Sequence, residues 1–188
     1  MKAKREAWRE EMRSLDPDKL VFIDESGVQG NMTRLYGRLI GGERLKESAP
    51  GGHWNITTLL SAIRHDGSTE SMTIQGATTA EVFKAYIVKI LCPTLRPTDI
   101  VILDNLSSHK DPGIREAIEK TGATLKYLPP YSPDLNPIEN MWSKIKAMLR
   151  KLKARGGRQL AIAIKKAFMT ITASDAAGWF KSCGYGIN

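Results

Sequence analysis

Two uninterrupted apolar runs, each ending in an aspartate, stand out in the hydrophobic pattern of this chain. The first reads LVFID and ends at Asp24, and the second reads DIVILD and ends at Asp104. Consecutive apolar positions rich in β-branched residues are typical of strands buried on both faces of a sheet. We therefore predict that both runs are central strands.

Other segments alternate more weakly or repeat at helical spacing. Gly-rich turns separate three predicted strands that would form an antiparallel meander, at residues 34–42, 53–63 and 70–76, and ATLKYLPP predicts a last strand. Spacing, caps and proline stops predict helices over residues 3–15, 78–91, 112–121, 137–154 and 158–172. Strands followed by a crossover helix and then alternating elements predict an α/β fold with a mixed sheet covered by helices.

The two strand-ending aspartates are candidates for a metal site. If the central strands are adjacent and parallel, Asp24 and Asp104 lie side by side at the edge where open α/β sheets place their sites. Two neighbouring carboxylates repel each other unless a cation lies between them. Mg²⁺ prefers oxygen ligands and keeps open positions for water and phosphate.

A third carboxylate, Glu139, follows the proline-rich stretch PPYSPDLNPIEN. Its prolines restrict the backbone and would hold the start of the next helix in a defined place. Asn136 suits the N-cap and Pro137 the first helical position, which puts Glu139 in the first turn. We expect Glu139 to complete the site.

Each carboxylate also has a simpler interpretation. Asn136 and Glu139 have the spacing of a capping box, in which the glutamate binds its own helix start. Aspartates at strand ends often bond only to their own turn. Asp134 is a rival third ligand, although its Pro-Asp context is typical of a turn.

Composition adds a preference for polyanions. The chain has 188 residues, enough for one domain with a full core, and its net charge of +8 suits nucleic acid. Two distant cysteines and three histidines predict neither a disulfide framework nor a zinc site. No signal peptide or membrane span is predicted, so we expect an intracellular protein.

Three blocks of sequence resemble a known family. In order they read LVFIDESGVQGNMTRLYGR, IVILDNLSSHK and LPPYSPDLNPIENMWSKIK, and 34 residues separate Asp104 from Glu139. These blocks and this spacing resemble the catalytic domain of bacterial insertion-sequence transposases of the mariner superfamily, the DDE transposases. The resemblance extends over nearly the whole chain.

The resemblance implies an RNase H-like, retroviral-integrase-like fold with a five-stranded mixed sheet flanked by helices. It implies that Asp24, Asp104 and Glu139 are catalytic and bind two Mg²⁺ or Mn²⁺ ions, which clamp the attacking and leaving oxygens of an in-line displacement. The implied activity is DNA strand cleavage followed by strand transfer, usually into TA dinucleotides, within a homodimer that joins transposon ends to target DNA. The implied location is the bacterial cytoplasm, associated with the nucleoid.

Smaller predictions concern the neighbours of the three acids. Glu25 should point to the opposite face of its strand from Asp24 and serve in a salt bridge. Asn105 and His109 belong to the second block and are expected near the metals, orienting a ligand or touching DNA, although such a His is often a plain loop residue. Trp142 is assigned to the core rather than to base stacking, and Trp54 and Trp179 are assigned to packing.

Positive charge is concentrated along and after the predicted helix that carries Glu139. A run of charge is often only a solvated face, but beside a phosphoryl-transfer site it would follow the DNA backbone. The candidate DNA-binding residues are Lys144, Lys146, Arg150, Lys151, Lys153, Arg155 and Arg158.

The predicted organisation is an N-terminal helical extension (residues 1–17), a catalytic core (18–156) and a C-terminal helical segment packed on it (157–188). Transposases of this family normally carry an N-terminal helix-turn-helix region that reads the element ends, whereas only 23 residues precede Asp24 here. We expect the catalytic half alone, as a fragment, a degenerate copy, or the second of two reading frames. Two alternatives are a non-catalytic DNA-binding module and a ribonuclease or resolvase with the same fold.

Overall fold

A five-stranded mixed sheet forms the centre of the protein in a computed structural model that describes residues 2–34, 36–38, 40–44, 46, 48 and 50–186. The strands lie in the order β3-β2-β1-β4-β5. Strands β1, β2 and β3 form an antiparallel meander, and β4 and β5 run parallel to β1. Their bounds are Leu20–Gln29 (β1), Ile56–Arg64 (β2), Thr69–Gln75 (β3), Ile100–Leu103 (β4) and Thr124–Tyr127 (β5).

Six helices cover the sheet within the described residues. They are Lys2–Arg13 (α1), Ala80–Tyr86 (α2), Pro112–Glu119 (α3), Pro137–Leu152 (α4), Gly157–Phe168 (α5) and Ala173–Ser182 (α6). A π-helical turn, Ile87–Leu91, extends α2 to the predicted stop at Cys92-Pro93. The predicted α/β class is confirmed.

Alternation along β1 divides the core into two layers. Phe22 packs with α1, α4, α5 and α6, whereas Val21 and Ile23 pack with α2 and α3. Successive side chains of a strand point to opposite faces, so an apolar run supplies both layers at once. The continuous hydrophobicity of LVFI therefore reflects a central strand, as predicted.

The two ends of the described chain lie on the same face of the sheet. Trp8 of α1 donates from Nε1 to the Tyr185 hydroxyl oxygen (3.0 Å), and Phe180 of α6 packs edge-on against Phe22 with ring centroids 5.3 Å apart. The Tyr185 hydroxyl in turn donates to the carbonyl of Leu135 (2.6 Å). Residues from both ends thus support the stretch that precedes α4, while the predicted division at residues 17 and 156 stays a prediction.

The prediction of a strand at residues 34–42 is wrong for the positions of this segment that the structure describes. Leu35 and Leu39 lie outside the described residues, and Ile40–Gly42 forms a 3₁₀ turn. Tyr36 and Ile40 are almost fully exposed, so these two side chains are not packed against a layer of the core. Strand alternation alone does not form a strand without a neighbouring edge or face.

Other boundaries also differ from the pattern. Strand β1 continues beyond Asp24 to Gln29, because β2 pairs with it over that whole length. A third C-terminal helix, α6, was not predicted; it begins at a capping box formed by Thr172 and Asp175. Among the described residues no helix combines the length and apolarity needed to cross a membrane.

Candidate active site

Strand register brings the two aspartates together. Phe22 on β1 pairs with Ile102 on the parallel strand β4, and each aspartate follows two positions later. Asp24 and Asp104 therefore emerge from adjacent strands at the same level. The sequence predicted this adjacency from the two apolar runs.

Glu139 reaches the same place from the first turn of α4. A cavity of about 390 Å³ is lined by Asp24, Asp104 and Glu139 together with the proline-rich loop 128–133. The Asn136 side chain makes no capping hydrogen bond to the helix, so the capping box considered from the sequence does not form. Glu139 is exposed and faces a cavity shared with both aspartates.

The electrostatics of Asp24 reflect this crowding. Burial raises the pKa of the Asp24 carboxyl to about 7, and the negative charge of Glu139, followed by that of Asp104, contributes to the rise. Hydrogen bonds from the Glu25 amide and from Trp142 oppose the shift without cancelling it. Without a cation, the cavity therefore favours a proton on one of its carboxylates at neutral pH.

Trp142 supports Asp24 from the next turn of α4. Its indole is only 2% exposed, and Nε1 donates to Asp24 Oδ2 (3.1 Å). The core assignment made from the sequence is correct, but it missed this hydrogen bond. The three-residue spacing from Glu139 puts both side chains on one face of α4, and that spacing is the signal that could have found it.

His109 forms a bridge between two carboxylates. Nδ1 lies 2.5 Å from Asp104 Oδ1, and Nε2 lies 3.2 Å from Glu25 Oε2. The fully buried ring stacks on Phe83 with centroids 4.1 Å apart, and the Tyr127 hydroxyl donates to the His109 carbonyl (3.0 Å). His109 is thus a fixed element of the site rather than a plain loop residue.

Two carboxylates around one imidazole determine its charge. Burial lowers the pKa of His109, but the hydrogen bonds and negative charges of Asp104 and Glu25 outweigh burial and raise the pKa to about 9. Both ring nitrogens then donate, one to each carboxylate. Strand alternation predicted a salt-bridge role for Glu25, and Glu25 does pair with His109, a partner that the sequence did not identify.

The loop that precedes α4 is held by α1. Arg5 Nη1 donates to Ser132 Oγ (2.8 Å) and to Asp134 Oδ1 (2.9 Å), and Arg9 lies 3.6 Å from Asp134. The Arg5 guanidinium lowers the pKa of Asp134. Asp134 is therefore paired with α1 and is not among the residues that line the cavity, so Glu139 is the better candidate for the third acid.

Asn136 presents an unpaired oxygen in the same region. The residue is 4% exposed and lines the cavity, yet its Oδ1 has no hydrogen-bond partner in the described structure. A buried acceptor without a partner is costly unless a ligand or water satisfies it. Asn105 also lines the cavity, as expected of a residue beside the second acid.

The candidate DNA-binding cations fall into three groups. Lys144 binds Asp175 (2.5 Å) and the Thr170 carbonyl, and Arg155 binds the carbonyls of Gly30 and Met32, so both serve the fold. Lys146 and Arg150 line a shallow depression beside the end of β1. The remaining three are exposed: Lys151 lies on α4, Lys153 lies just after α4, and Arg158 lies on α5.

The donor set fits a divalent cation. Within the described ranges no three Asp, Glu, His or Cys side chains are already close enough to hold a metal ion. Even so, three carboxylates face one cavity, and burial together with repulsion from Glu139 and Asp104 raises the pKa of Asp24. Hard oxygen donors that repel one another in a partly open cavity are what Mg²⁺ and Mn²⁺ neutralise.

Comparison with known proteins identifies a family and a fold. The family profile described as DDE superfamily endonuclease matches residues 19–161. No curated protein sequence matches the chain significantly.

Among solved structures, this chain resembles the Mos1 strand transfer complex (TM-score 0.78, 16% identity, covering 97% of this chain and 57% of that one). It also resembles the Mos1 mariner paired end complex with Mn (TM-score 0.77, 17% identity, 97% and 58%) and the catalytic domain of Mos1 mariner transposase (TM-score 0.69, 14% identity, 97% and 86%). The fold is therefore the RNase H-like one that the family resemblance implied. The chain spans little more than half the length of the proteins in those complexes.

Proposed function

This chain belongs to the DDE superfamily of endonucleases, and we propose that it is the catalytic domain of a transposase that cleaves DNA strands and transfers them to a target. The observation that carries the proposal is the convergence of Asp24, Asp104 and Glu139 on one cavity from three separate parts of the chain. Carboxylates from β1, from the end of β4 and from the start of α4 need not meet for the fold to be stable. Their repulsion is a cost that binding of a cation would remove.

Asp24, Asp104 and Glu139 would hold two Mg²⁺ or Mn²⁺ ions. When bound, such ions activate a water or a 3′-hydroxyl and stabilise the charge of in-line phosphoryl transfer. The protein supplies the geometry. Trp142 fixes one oxygen of Asp24, His109 fixes one oxygen of Asp104, and the loop tied to Arg5 sets the start of α4.

His109 would act as a positioning residue. Its contact with Glu25 keeps the ring protonated and directed at Asp104, so one oxygen of Asp104 is held and the carboxylate plane is fixed. Hydrogen bonds to a ligating carboxylate commonly change metal affinity by about 10–100-fold. Asn136 and Asn105 would offer polar contacts inside the cavity to water or phosphate oxygens.

DNA would bind across the cavity and along α4. Lys146 and Arg150 lie beside the end of β1, and Lys151, Lys153 and Arg158 continue the positive surface. Lys144 and Arg155 would contribute less because they already bind protein groups. The substrates would be transposon ends and target DNA held in a homodimer, and the site of action would be the bacterial cytoplasm and nucleoid.

The experiment that tests the proposal is a nicking assay on supercoiled plasmid with Mg²⁺ or Mn²⁺. We expect metal-dependent nicking by the wild type and none by Glu139→Gln, because the substitution removes one ligand charge and leaves shape intact. Glu119→Gln is the matched control, since the Glu119 side chain forms an exposed pair with Arg115 on α3 and does not line the cavity, so this substitution should not affect nicking.

Three outcomes would contradict the proposal. Nicking by Glu139→Gln at the wild-type rate would remove Glu139 from the site. Cleavage of an RNA strand in preference to DNA would favour a ribonuclease of the same fold. No metal-dependent cleavage of either nucleic acid by the folded wild type would favour a non-catalytic DNA-binding module.

A further inference from the structure

Tyr131 has an unusual conformation at the rim of the cavity. Tyr131 is 86% exposed, and its backbone φ is +55°, in the left-handed region. Large side chains rarely adopt positive φ, and such strain persists only where the surrounding structure enforces it. Because the ring is exposed, packing of the core does not explain why an aromatic residue occupies this strained backbone position.

The surrounding loop enforces the conformation. Pro129 and Pro130 precede Tyr131 and restrict the backbone, and Arg5 of α1 donates to the Tyr131 carbonyl (3.4 Å). Arg5 also binds Ser132 Oγ (2.8 Å), and Ser132 is buried. The backbone on both sides of Tyr131 is therefore fixed, while the ring is left in solvent.

The ring lies next to the three acids. Tyr131 lines the same cavity as Asp24, Asp104 and Glu139, and it is the aromatic residue among those that line it. The neighbouring wall is apolar and includes Pro130. A flat apolar surface beside a phosphate-handling site suits the face of a nucleobase, because every base presents a π-face.

Trp142 cannot serve this purpose. Its indole is 2% exposed and its Nε1 is occupied by Asp24. Faces of bases inside a duplex are covered by their neighbours, so a protein ring reaches them only at an unpaired or displaced nucleotide. The ligand that fits Tyr131 is therefore an unstacked base close to the scissile phosphate.

We propose that Tyr131 is a stacking platform for an unpaired base of the DNA strand whose phosphate lies at the three carboxylates. The proposal rests on the proposed function, since it places a substrate nucleotide in that same cavity. It assigns the loop between β5 and α4 a direct role in holding the strand as well as a role in placing Glu139.

The test compares two duplexes that differ only in their single-stranded tail. One tail carries bases, and the other is abasic with the same number of phosphates, so electrostatic attraction is matched. Binding is measured without Mg²⁺ or Mn²⁺ to prevent cleavage. We expect the wild type to bind the tail with bases about 5- to 150-fold more tightly per stacked base.

Variants at position 131 separate the ring from the loop conformation. Tyr131→Phe keeps the ring and should keep the discrimination between tails. Tyr131→Leu removes the ring and should abolish the discrimination. Tyr131→Gly also removes the ring, but it accepts positive φ without strain, so it should fold at least as stably as the wild type and still lose discrimination. It therefore gives a result even if Tyr131→Leu folds poorly.

The proposal is overturned if the wild type binds both tails equally, or if Tyr131→Gly and Tyr131→Leu discriminate as the wild type does. Plasmid nicking separates this failure from failure of the proposed function. Nicking that depends on Glu139, together with unchanged tail discrimination in Tyr131→Gly, would remove the stacking role and leave the nuclease. Discrimination lost in Tyr131→Gly without any nicking by the wild type would support base binding and contradict catalysis.

Discussion

Substituting Asp24 should abolish cleavage and, at the same time, stabilise the metal-free protein. Asn at this position keeps the shape of the side chain and an acceptor oxygen for the indole of Trp142. It removes a negative charge that burial and the neighbouring carboxylates disfavour. Replacing a functional carboxylate lowers activity but raises stability, whereas replacing a structural carboxylate lowers stability.

The magnitude follows from the pKa of Asp24. The carboxyl has a pKa of about 7 in the fold and 3.8 in the unfolded chain. At 1.36 kcal/mol per pKa unit, ionisation of Asp24 destabilises the fold by at most ~4 kcal/mol at pH 8. Asp24 keeps partial exposure, and screening by solvent reduces the effect, so we expect Asp24→Asn to add about 2 kcal/mol to the free energy of unfolding.

The pH dependence has a definite sign. Because folding raises the pKa of Asp24, its carboxyl favours the fold most below pH 3.8 and disfavours it increasingly as pH rises to about 7. The stabilisation by Asp24→Asn should therefore be small near pH 4, grow with pH and level off above pH 7. Chemical denaturation in EDTA across this range measures it.

Asp134→Asn provides the matched control of opposite sign. Arg5 lowers the pKa of Asp134, so the carboxylate form favours the fold above pH 3.8 and this contribution is lost as pH falls. The substitution should destabilise slightly at neutral pH, by less than about 1 kcal/mol because the pair is exposed. If Asp24→Asn is destabilising at pH 8, or if its effect is independent of pH, the electrostatic account of the cavity is wrong.

Two further predictions concern metal and DNA. His109→Ala should raise the Mg²⁺ concentration for half-maximal nicking by about 10–100-fold, because it removes the hydrogen bond that orients Asp104. Titration of the nicking rate with Mg²⁺ measures this change. An unchanged titration in a folded variant would contradict the positioning role. The DNA association constant should fall by about 0.9 log unit per log unit of salt for each phosphate bound. Lys146→Ala should reduce that slope by about 0.9 if Lys146 binds one phosphate. A DNA affinity that does not depend on salt would argue against the basic surface.

The convergence of the three candidate carboxylates on one cavity could be predicted because local patterns mark each of them. Asp24 and Asp104 follow apolar runs that only a central strand explains, and parallel pairing then fixes their proximity. Glu139 follows a proline-rich loop whose rigidity indicates a fixed helix start. In each case a few neighbouring residues contain the information.

The supporting contacts could not be predicted because they join distant parts of the chain. Arg5 and Asp134 are 129 positions apart, and His109 and Glu25 are 84 apart. Their pairing depends on how α1 and the turn after β4 pack on the sheet, which no local spacing encodes. The strand prediction at residues 34–42 is wrong at its described positions for a related reason: alternation does not show whether a side chain is buried, and Tyr36 and Ile40 are exposed.

The attachment of α1 to the cavity loop has a consequence for regulation. Arg5 contacts Tyr131, Ser132 and Asp134, so undocking of α1 releases the loop that bears the exposed ring and leads to Glu139. A ligand that binds α1 only in its docked position would favour the ordered cavity. By thermodynamic reciprocity, a nucleotide held in the cavity would strengthen binding of that ligand to the same degree, and this would couple the first helix to the three candidate carboxylates.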